Sequence, residues 1–427
     1  ECRAIQGVPR QPPLTMTFLR MSGGMALLLP AVCSAFVSSP VRHSYVLSAP
    51  LAKAHRRLST STGLMGARAK MEFSKLGDSD LLVSRCCLGT MTWGQQNTME
   101  EGIEQLNLAF DDYGVNFLDT AEMYPVPTKA ETQGATDRVV AEWLKTRQRD
   151  KVILASKVTG WSDNVTWLPK RDGKGSRVTR KQIRDSVECS LERLGTDYID
   201  LIQIHWPDRY VPLFGQMKFN QTLVRDYEPF EEQLAEFKKL QEEGKIRYVG
   251  VSNETPFGVM KFCEAAERLD LPKVVSIQNC YSLINRVDYE TGLQEVCLPQ
   301  NTNVGLLPYS PLAGGVLSGK YSKDVPEEES AKWRLNLFTG YMARYKNSLA
   351  AEAVDIYSKL ASKYGMTPSE FAIAFCNSRP FVTSTIIGAT SIPQLKENIG
   401  AFGLKWTEEM EADVDEVFKK YKDPSKV

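Results

Sequence analysis

Between residues 71 and 427, short apolar stretches rich in β-branched residues alternate with longer stretches in which apolar residues recur every three or four positions. The short stretches are apolar throughout instead of alternating in polarity, which is typical of parallel strands buried on both faces. Eight such strands are predicted, at residues 87–90, 115–119, 152–157, 198–205, 246–252, 274–278, 304–309 and 382–388.

The longer stretches predict helices that mostly end at glycine, the usual residue at a helix C-terminus. Ile183, Val187, Leu191 and Leu194 share one helical face, and Gly195 follows them. The other predicted helices with a clear end are 101–113 before Gly114, 230–240 before Gly244, 349–364 before Gly365, and 255–269 before Pro272.

Strand, loop and helix repeated eight times predict an α/β fold, a (β/α)8 TIM barrel in one domain over residues 71–427. An open doubly wound sheet is the alternative. Residues 73–76 and 81–84 flank Gly77-Asp78, which predicts a β-hairpin that closes the lower end of the barrel.

Three predicted connections are long, at residues 159–177, 207–229 and 318–347, and each follows a strand. They are therefore expected on the catalytic face of the barrel, where long loops usually carry function. Their aromatic residues suit an apolar pocket, although anchoring of the loop is the more common role for any single one of them. These are Trp161, Trp167, Tyr210, Phe214, Phe219 and Phe338.

Residues 1–70 differ in composition from the rest of the chain. They hold nine basic residues and one acid, which leaves 43 bases against 51 acids in residues 71–427. The leader therefore carries about +8 and the body about −8, although the formal net charge is +0. A body of that sign has no general attraction for nucleic acid or anionic lipid, so neither nucleic-acid binding nor stable membrane association is expected.

The leader has the composition of a targeting segment. Arg20 precedes an apolar run, Cys33-Ser34-Ala35 supplies small residues before Phe36, and the stretch after Phe36 is basic, hydroxyl-rich and free of acids. A signal peptide followed by a transit peptide resembles the two-part leaders of algae with complex plastids, and predicts plastid localisation. Mitochondrial, secretory or cytosolic localisation is the alternative, as is a plain extension that carries no signal.

Histidine and cysteine are informative because of where they occur. The body contains a single histidine, His205, which excludes zinc sites that need two histidines. Seven of the nine cysteines lie in the body with no C-x-x-C spacing, which indicates free buried thiols in a reducing compartment. No metal site is expected.

Four polar residues mark the C-terminal ends of successive predicted strands. Asp119 ends the second strand, Tyr124 lies five residues later, Lys157 ends the third strand and His205 ends the fourth. In a barrel these side chains meet at one mouth. We expect Lys157 to make the phenol of Tyr124 more acidic, Asp119 to hold Lys157, and His205 to hydrogen-bond a carbonyl oxygen, which together would protonate that oxygen as hydride arrives. Singly, a buried Asp–Lys pair or a lone histidine is commonly structural.

These residues lie in segments that together resemble the aldo-keto reductase family, and specifically its bacterial Tas-type branch. The similarity covers roughly residues 72–421. The segments, in the family's order, are LGTMTWG, NFLDTAEMYPVPTKAETQG, ILASKV, LIQIHWP, GKIRYVGVSNETPFGVM, IQNCYSLINR, YSPLAGGVLSGKY and IIGATSIPQLKENIGA. The run AEMYPVP followed by ETQG is the most specific of them.

The resemblance implies an NADPH-dependent reductase of small aldehydes and ketones, with Tyr124, Lys157, Asp119 and His205 as the catalytic tetrad and Tyr124 as general acid. It further implies that Ser252, Asn253 and Gln278 hold the nicotinamide carboxamide, that Tyr281 stacks on the ring, and that Lys320 or Arg334 neutralises a 2′-phosphate. The remaining implied cofactor contacts are Ser310, Pro311, Leu312, Gly314 and Gly315 in the pyrophosphate loop, Gly388, Thr390, Gln394, Glu397 and Asn398 around the adenosine, and Thr90, Met91, Asp119 and Tyr309 with no part of the cofactor assigned.

Two alternative functions follow from other features of the sequence. Residues 314–320 satisfy G-x-x-x-x-G-K, but Tyr321 stands where a nucleotide triphosphatase needs Ser or Thr, and no helix is predicted to begin at Lys320. The second alternative is a nicotinamide-binding sensor or regulatory subunit with little turnover, like the family members that modulate potassium channels. Those relatives lack the histidine that matches His205, so its presence favours an enzyme.

Overall fold

The computed structural model describes residues 71–322 and 325–426. The predicted leader, with its targeting signals and its boundary at residue 70, lies outside the described residues. The strands are β1 Phe73–Lys75, β2 Leu82–Ser84, β3 Cys86–Gly89, β4 Phe117–Asp119, β5 Ile153–Val158, β6 Ile199–Ile204, β7 Ile246–Ser252, β8 Val274–Gln278, β9 Gly305–Leu306 and β10 Thr385–Ile387.

Helices follow the barrel strands on the outside of the sheet. They are α1 Met99–Asn107, α2 Ala135–Leu144, α3 Arg180–Leu194, α4 Phe230–Glu242, α5 Pro256–Leu269, α6 Gln294–Val296, α7 Glu327–Ser330, α8 Arg334–Leu337, α9 Ser348–Lys363, α10 Pro368–Ser378, α11 Ile392–Gly400 and α12 Glu408–Lys420. A π-helical turn, Leu108–Asp112, extends α1 toward Gly114. The predicted glycine ends are confirmed, since Gly195, Gly244 and Gly365 all have positive φ beyond α3, α4 and α9.

Strands β3 to β10 form one parallel sheet in the order β10-β3-β4-β5-β6-β7-β8-β9. The two ends of this order also meet, because the Thr383 amide donates to Leu306 O at 2.9 Å and the Ile386 amide donates to Pro308 O at 2.9 Å. The sheet is therefore a closed (β/α)8 barrel, and the open-sheet alternative is wrong. Pro308 has no N–H to donate, which accounts for β9 being shorter than predicted.

The barrel interior is filled by one apolar cluster. Its members are Leu76, Leu81, Val83, Cys87, Phe117, Ala155, Leu201, Val275, Leu307 and Ile386. The first three belong to the segment of β1, β2 and their turn, which pair antiparallel with Phe73 opposite Ser84. The predicted hairpin is confirmed, and its apolar side chains plug the lower end of the barrel.

Every second residue of a barrel strand points into the interior, and the interior positions that follow this apolar layer along the strands are polar. Moving two residues along β4, β5 and β6 from Phe117, Ala155 and Leu201 leads to Asp119, Lys157 and Gln203. All three polar side chains are buried. The upper layer of the barrel interior, toward the C-terminal ends of its strands, is thus polar and charged, and the active site is expected there.

Gly77, in the turn between β1 and β2, offers a test of the plug. Its φ is +52°, and a Cβ at this position would lie 2.3 Å from Val275 O and 2.7 Å from Asn303 O. Gly365 has a similar φ of +69° but no atom within 4 Å of such a Cβ. We expect Gly77→Ala to lower the free energy of unfolding by about 2 kcal/mol more than Gly365→Ala, because only the first also creates a steric clash. Urea denaturation measures both, and equal losses would refute a tightly seated plug.

The expectation of free cysteines is met within the described residues. The seven body cysteines are all free thiols, five of them buried. No group of three potential metal-ligating side chains occurs in residues 71–322 and 325–426. Over the same ranges, none of the helices combines the length and the apolar character needed to cross a lipid bilayer.

Candidate active site

An elongated cavity of about 1270 Å³ opens at the C-terminal ends of the barrel strands. Its walls come from strand ends and from the connections after β6 and β9. Asp119, Tyr124 and His205 line it, together with every predicted cofactor-binding residue except Tyr281. Lys157 lies directly behind, with a fully buried side chain.

Lys157 and Asp119 form a buried ion pair beneath the cavity floor. Lys157 Nζ lies 2.6 Å from Asp119 Oδ2 and also donates to Thr120 O at 2.9 Å. Their side chains are 0% and 3% exposed. Because water does not reach this ion pair, neither the ammonium nor the carboxylate has an alternative partner, and the pair keeps its geometry.

The second oxygen of Asp119 is bound by two amides. Gln278 Nε2 donates to Asp119 Oδ1 at 2.8 Å, and Gln203 Nε2 donates to the same atom at 3.2 Å. Gln203 was missed in the sequence analysis, although it lies two residues before His205 and therefore points to the same face. Gln278 lines the cavity as predicted, but here it also fixes the carboxylate of Asp119.

Tyr124 lies on the loop after β4, where its amide donates to Ala121 O at 3.0 Å. Lys157 Nζ is 5.0 Å from the centroid of its ring. Burial, followed by the negative charge of Asp119, raises the pKa of Tyr124 well above its ordinary value, and the charge of Arg334 acts in the opposite direction. The expectation that Lys157 makes this phenol more acidic stays a prediction, since Asp119, which pairs with the ammonium, acts against it. Tyr124 therefore stays protonated, as a proton donor must.

His205 completes the predicted tetrad. Its ring centroid lies 5.9 Å from that of Tyr124, and the planes meet at 76°. Its Nδ1 is buried without a hydrogen-bond partner among the described residues. Burial, followed by the charge of Lys157, lowers the pKa of His205 well below its ordinary value. The imidazole is therefore neutral at neutral pH.

The lowered pKa of His205 makes stability depend on pH. As pH falls below the ordinary histidine pKa, the unfolded chain takes up a proton that the folded protein refuses, so the free energy of unfolding falls by at most about 1.4 kcal/mol per pH unit. We expect wild-type protein to lose more stability between about pH 7.5 and about pH 5.5 than His205→Gln, which lacks this group. Urea denaturation at both pH values measures this, and identical pH slopes would show that His205 is not held neutral.

Beyond His205, a cluster of polar groups lines the cavity at the ends of β7, β8 and β9. Asn253 Nδ2 donates to His205 O at 2.9 Å, and Tyr309 OH donates to Asn253 Oδ1 at 2.6 Å. Ser252 Oγ donates to Gln278 O at 2.7 Å. Hydroxyl and amide groups of this kind suit a neutral carboxamide.

The prediction for Tyr281 is wrong. This residue is 0% exposed, its ring stacks on Phe375 at 5.8 Å and 11°, and its hydroxyl donates to Glu290 Oε1 at 2.6 Å. It packs in the outer core, where no ligand reaches it. Tyr309 is the aromatic that lines the cavity at this point.

The connection after β9 forms a backbone cradle. Ser310, Ala313, Gly314 and Gly315 all have positive φ, and Gly314 and Gly315 reach +68° and +98°. A Cβ on Gly315 would lie 3.2 Å from Lys320 Cε, so the missing side chain leaves room between the backbone and this lysine. Backbone amides in such turns bind phosphate oxygens.

Two predicted cations lie along the same wall without a carboxylate partner in the described residues. Burial, followed by the charge of Arg334, lowers the pKa of Lys320, which places the two cations near each other. Arg334 Nε donates to Gln96 Oε1 at 3.0 Å. Neighbouring cations without counter-ions are the environment that a phosphate group needs.

The far end of the cavity lies at the start of α11. Gln394 Oε1 accepts from the Thr390 amide and hydroxyl, both at 3.1 Å, and Asn398 Nδ2 donates to Gly388 O at 3.1 Å. Glu397 also lines this end and accepts from Thr367 Oγ1 at 2.6 Å. The predicted adenosine-end residues are therefore gathered at one place.

Of the aromatic residues of the long loops, one lines the cavity and the others lie elsewhere. Phe214 lines the cavity, next to Trp206, which the sequence analysis missed. The other five do not line it. Trp161 lies under Arg225 at 3.3 Å, and Tyr210 contacts Phe219 edge-to-face at 5.1 Å, so they anchor loops.

The triphosphatase alternative has no structural support. Residues of the G-x-x-x-x-G-K match form 3-10 turns, Ala313–Ser318 and Lys320–Ser322. No α-helix begins at Lys320 to present amides to a nucleotide.

The chain matches the model of a known protein family. The family model described as "Aldo/keto reductase family" matches residues 85–419. The chain belongs to the aldo/keto reductase family. This confirms the resemblance inferred from the sequence motifs, and aldo/keto reductases are oxidoreductases that generally use NAD(P)H.

Individual aldo/keto reductase relatives agree with this assignment. Protein tas of Escherichia coli (strain K12) is 42% identical over 360 residues, which cover 83% of this chain and 100% of the relative. An aldo-keto reductase of Babesia bovis is 40% identical over 288 residues, 65% of this chain and 99% of the relative. A candidate voltage-gated potassium channel subunit beta of Schizosaccharomyces pombe is 30% identical over 350 residues, 81% of this chain and 92% of the relative.

Proposed function

We propose that this protein reduces aldehydes and ketones with NADPH by direct hydride transfer. The observation that carries the proposal is the placement of the Tyr124 phenol and the His205 imidazole on one cavity, with ring centroids 5.9 Å apart, beside the buried Lys157–Asp119 pair. A phenol is protonated at neutral pH, and the nearby ammonium of Lys157 can stabilise the phenolate that forms once the proton has passed to the substrate.

The cavity fits a nicotinamide dinucleotide along its length. The amide and hydroxyl groups of Ser252, Asn253 and Gln278 suit the carboxamide, the glycine cradle suits the pyrophosphate, and the α11 end accommodates the adenosine. Tyr309 replaces Tyr281 as the aromatic for the nicotinamide ring. The cofactor, when bound, supplies the hydride that reduces the carbonyl carbon.

The chain's own residues control the proton. His205 orients the carbonyl oxygen toward Tyr124, and the phenol donates its proton to that oxygen as negative charge accumulates there. Lys157 then stabilises the phenolate that is left behind, while Asp119, held by Gln203 and Gln278, keeps the ammonium in place. Stabilising the phenolate makes the phenol a stronger acid, so Lys157 opposes the effect of burial on Tyr124.

The preference for NADPH over NADH rests on the unpaired cations of the cavity wall. Lys320 and Arg334 have no carboxylate partner in the described residues, and a 2′-phosphate would supply the missing negative charge. Arg334 lies within electrostatic range of Tyr124, which makes Lys320 the better candidate for this contact.

A cofactor-consumption assay tests the proposed function. Full-length protein is mixed with NADPH or NADH and a panel of aldehydes and ketones, and oxidation of the cofactor is followed. We expect consumption that depends on a carbonyl substrate and is faster with NADPH. Binding of NADPH without consumption on any compound would contradict the enzyme proposal.

That negative outcome would instead support the second candidate, a nicotinamide-binding sensor or regulatory subunit. The observation in its favour is the 30% identity to the Schizosaccharomyces pombe channel-subunit candidate. His205 and the intact ion pair beneath Tyr124 favour the enzyme, since a sensor has no use for a proton donor.

A further inference from the structure

Arg344 is a cation that the proposed reaction does not use. It lies on the 3-10 turn Ala343–Lys346 and lines the cavity beside Met342. Its Nη2 donates to Tyr345 OH at 2.9 Å, while its Nε is buried without a hydrogen-bond partner in the described part of the chain. No described carboxylate lies within ion-pair distance of its guanidinium.

Arg344 shares its lack of a counter-ion with Arg334 and differs in this from many other arginines at buried or half-buried positions. Several of them pair with carboxylates, in the pairs Arg177–Asp208, Arg193–Asp137, Arg209–Glu254, Arg286–Glu290 and Arg379–Glu411. The guanidinium of Arg344 is half-buried at the cavity wall with no described carboxylate beside it, so it is free to pair with an anion of a bound molecule.

Arg344 lies apart from the glycine cradle and Lys320, the part of the cavity assigned to phosphate groups. Its charge acts on Tyr309 and Tyr341, which line the same end of the cavity, and Tyr341 in turn interacts with Tyr124. Its side chain runs along the loop after β6, because a Cβ on Gly215 would lie 2.8 Å from Arg344 Cδ. Arg344 therefore belongs to the end where a carbonyl substrate meets Tyr124, and the glycine cradle with Lys320 is a separate feature.

Apolar side chains border the same end. Trp206 and Phe214 line the cavity from the loop after β6, with ring centroids 6.3 Å apart, and Met91 and Val126 line it near Tyr124. This combination suits a molecule with a carbonyl at one end, an apolar middle and a negative charge at the other end.

We propose that Arg344 is a specificity-determining residue that binds an anionic group, a carboxylate or a phosphate, of the carbonyl substrate. The proposal rests on the reductase function above and narrows its substrate class to anionic aldehydes and ketones. The planar guanidinium, with donors not taken by a carboxylate of the protein, is suited to bind either anion through two hydrogen bonds.

The test compares 4-carboxybenzaldehyde, 4-formylphenyl phosphate and the neutral methyl 4-formylbenzoate with full-length protein and NADPH. We expect kcat/KM for at least one anionic compound to exceed that of the ester by about tenfold or more. Preference for the carboxylate or for the phosphate identifies the anion that the site selects. An ester reduced as well as both anions would overturn the assignment of Arg344 and leave the reductase proposal intact.

Variants of Arg344 test whether this residue causes the preference for anionic substrates. Arg344→Met should bring the anion-to-ester ratio of kcat/KM close to one, and Arg344→Lys should restore part of it by returning the charge without the planar fork. Lys346→Met is the matched control, since Lys346 is an exposed cation of the same turn bonded to Asn336, and it should keep the wild-type ratio.

A ratio that survives Arg344→Met would overturn the proposal. An increase in the KM for NADPH as the only effect of Arg344→Met would also overturn the proposal. Failure of the wild type to reduce any of the three compounds, or any other carbonyl, would overturn this proposal together with the proposed function.

Discussion

Replacing Tyr124 with phenylalanine is expected to lower kcat for carbonyl reduction by about 100- to 10,000-fold, the range attributed to a positioned general acid. The variant loses one hydroxyl and keeps the ring against Lys157 and His205. NADPH binding should therefore change little, because the cofactor contacts assigned to Ser252, Gln278 and the glycine cradle are untouched. Steady-state kinetics and a cofactor titration measure the two quantities separately.

The matched control for this variant is Tyr248→Phe. Tyr248 OH donates to Asp80 Oδ1 at 3.0 Å, at the lower end of the barrel and away from the cavity. This control should keep wild-type kcat. Retention of more than about a tenth of wild-type kcat by Tyr124→Phe would mean that another group delivers the proton.

Breaking the buried ion pair is expected to affect stability and activity together. Lys157→Met leaves Asp119 as a buried carboxylate with only amide donors, and we expect the free energy of unfolding to fall by about 3–5 kcal/mol. Asp119→Asn leaves the ammonium uncompensated in the same way. The double variant Asp119→Asn/Lys157→Met removes both charges, so its loss of stability should be clearly smaller than the sum of the single losses, while kcat stays low because the phenolate has lost its cation.

A surface pair of equal length provides the control. Lys145 Nζ and Glu142 Oε2 are also 2.6 Å apart, but their side chains are 68% and 50% exposed. Lys145→Met should cost at most about 1 kcal/mol and leave kcat unchanged. Additive losses for the Asp119 and Lys157 variants would show that the two charges do not depend on each other. Recovery of kcat in the double variant would show that the pair is only structural.

The fold was predictable from the sequence because each of its features is local. Continuous apolar runs mark strands buried on both faces, and Gly195, Gly244 and Gly365 end helices through their own backbone conformation. The position of Asp119 and Lys157 follows from strand alternation, since Phe117 and Ala155 lie two residues earlier in the same interior. The same rule applied to β6 finds Gln203, the residue that the sequence analysis overlooked.

What the sequence left undetermined depends on neighbours that are distant along the chain. Burial, followed by the charge of Asp119, raises the pKa of Tyr124, and this effect appears only when burial and geometry are known together. Tyr281 faces Phe375 instead of the cavity because the loop after β8 turns its ring into the outer core. Arg344 was missed because residues 318–347 follow no regular period.

Deuterium transfer tests the central claim most directly. Full-length protein, NADPH carrying two deuterium atoms at C4 of the nicotinamide, and a reducible aldehyde are incubated, and the alcohol is analysed by mass spectrometry. Direct hydride transfer within this cavity predicts an alcohol that carries one deuterium on the former carbonyl carbon, formed by wild-type protein and almost absent with Tyr124→Phe. An unlabelled alcohol, or equal amounts of labelled alcohol from both proteins, would contradict the account.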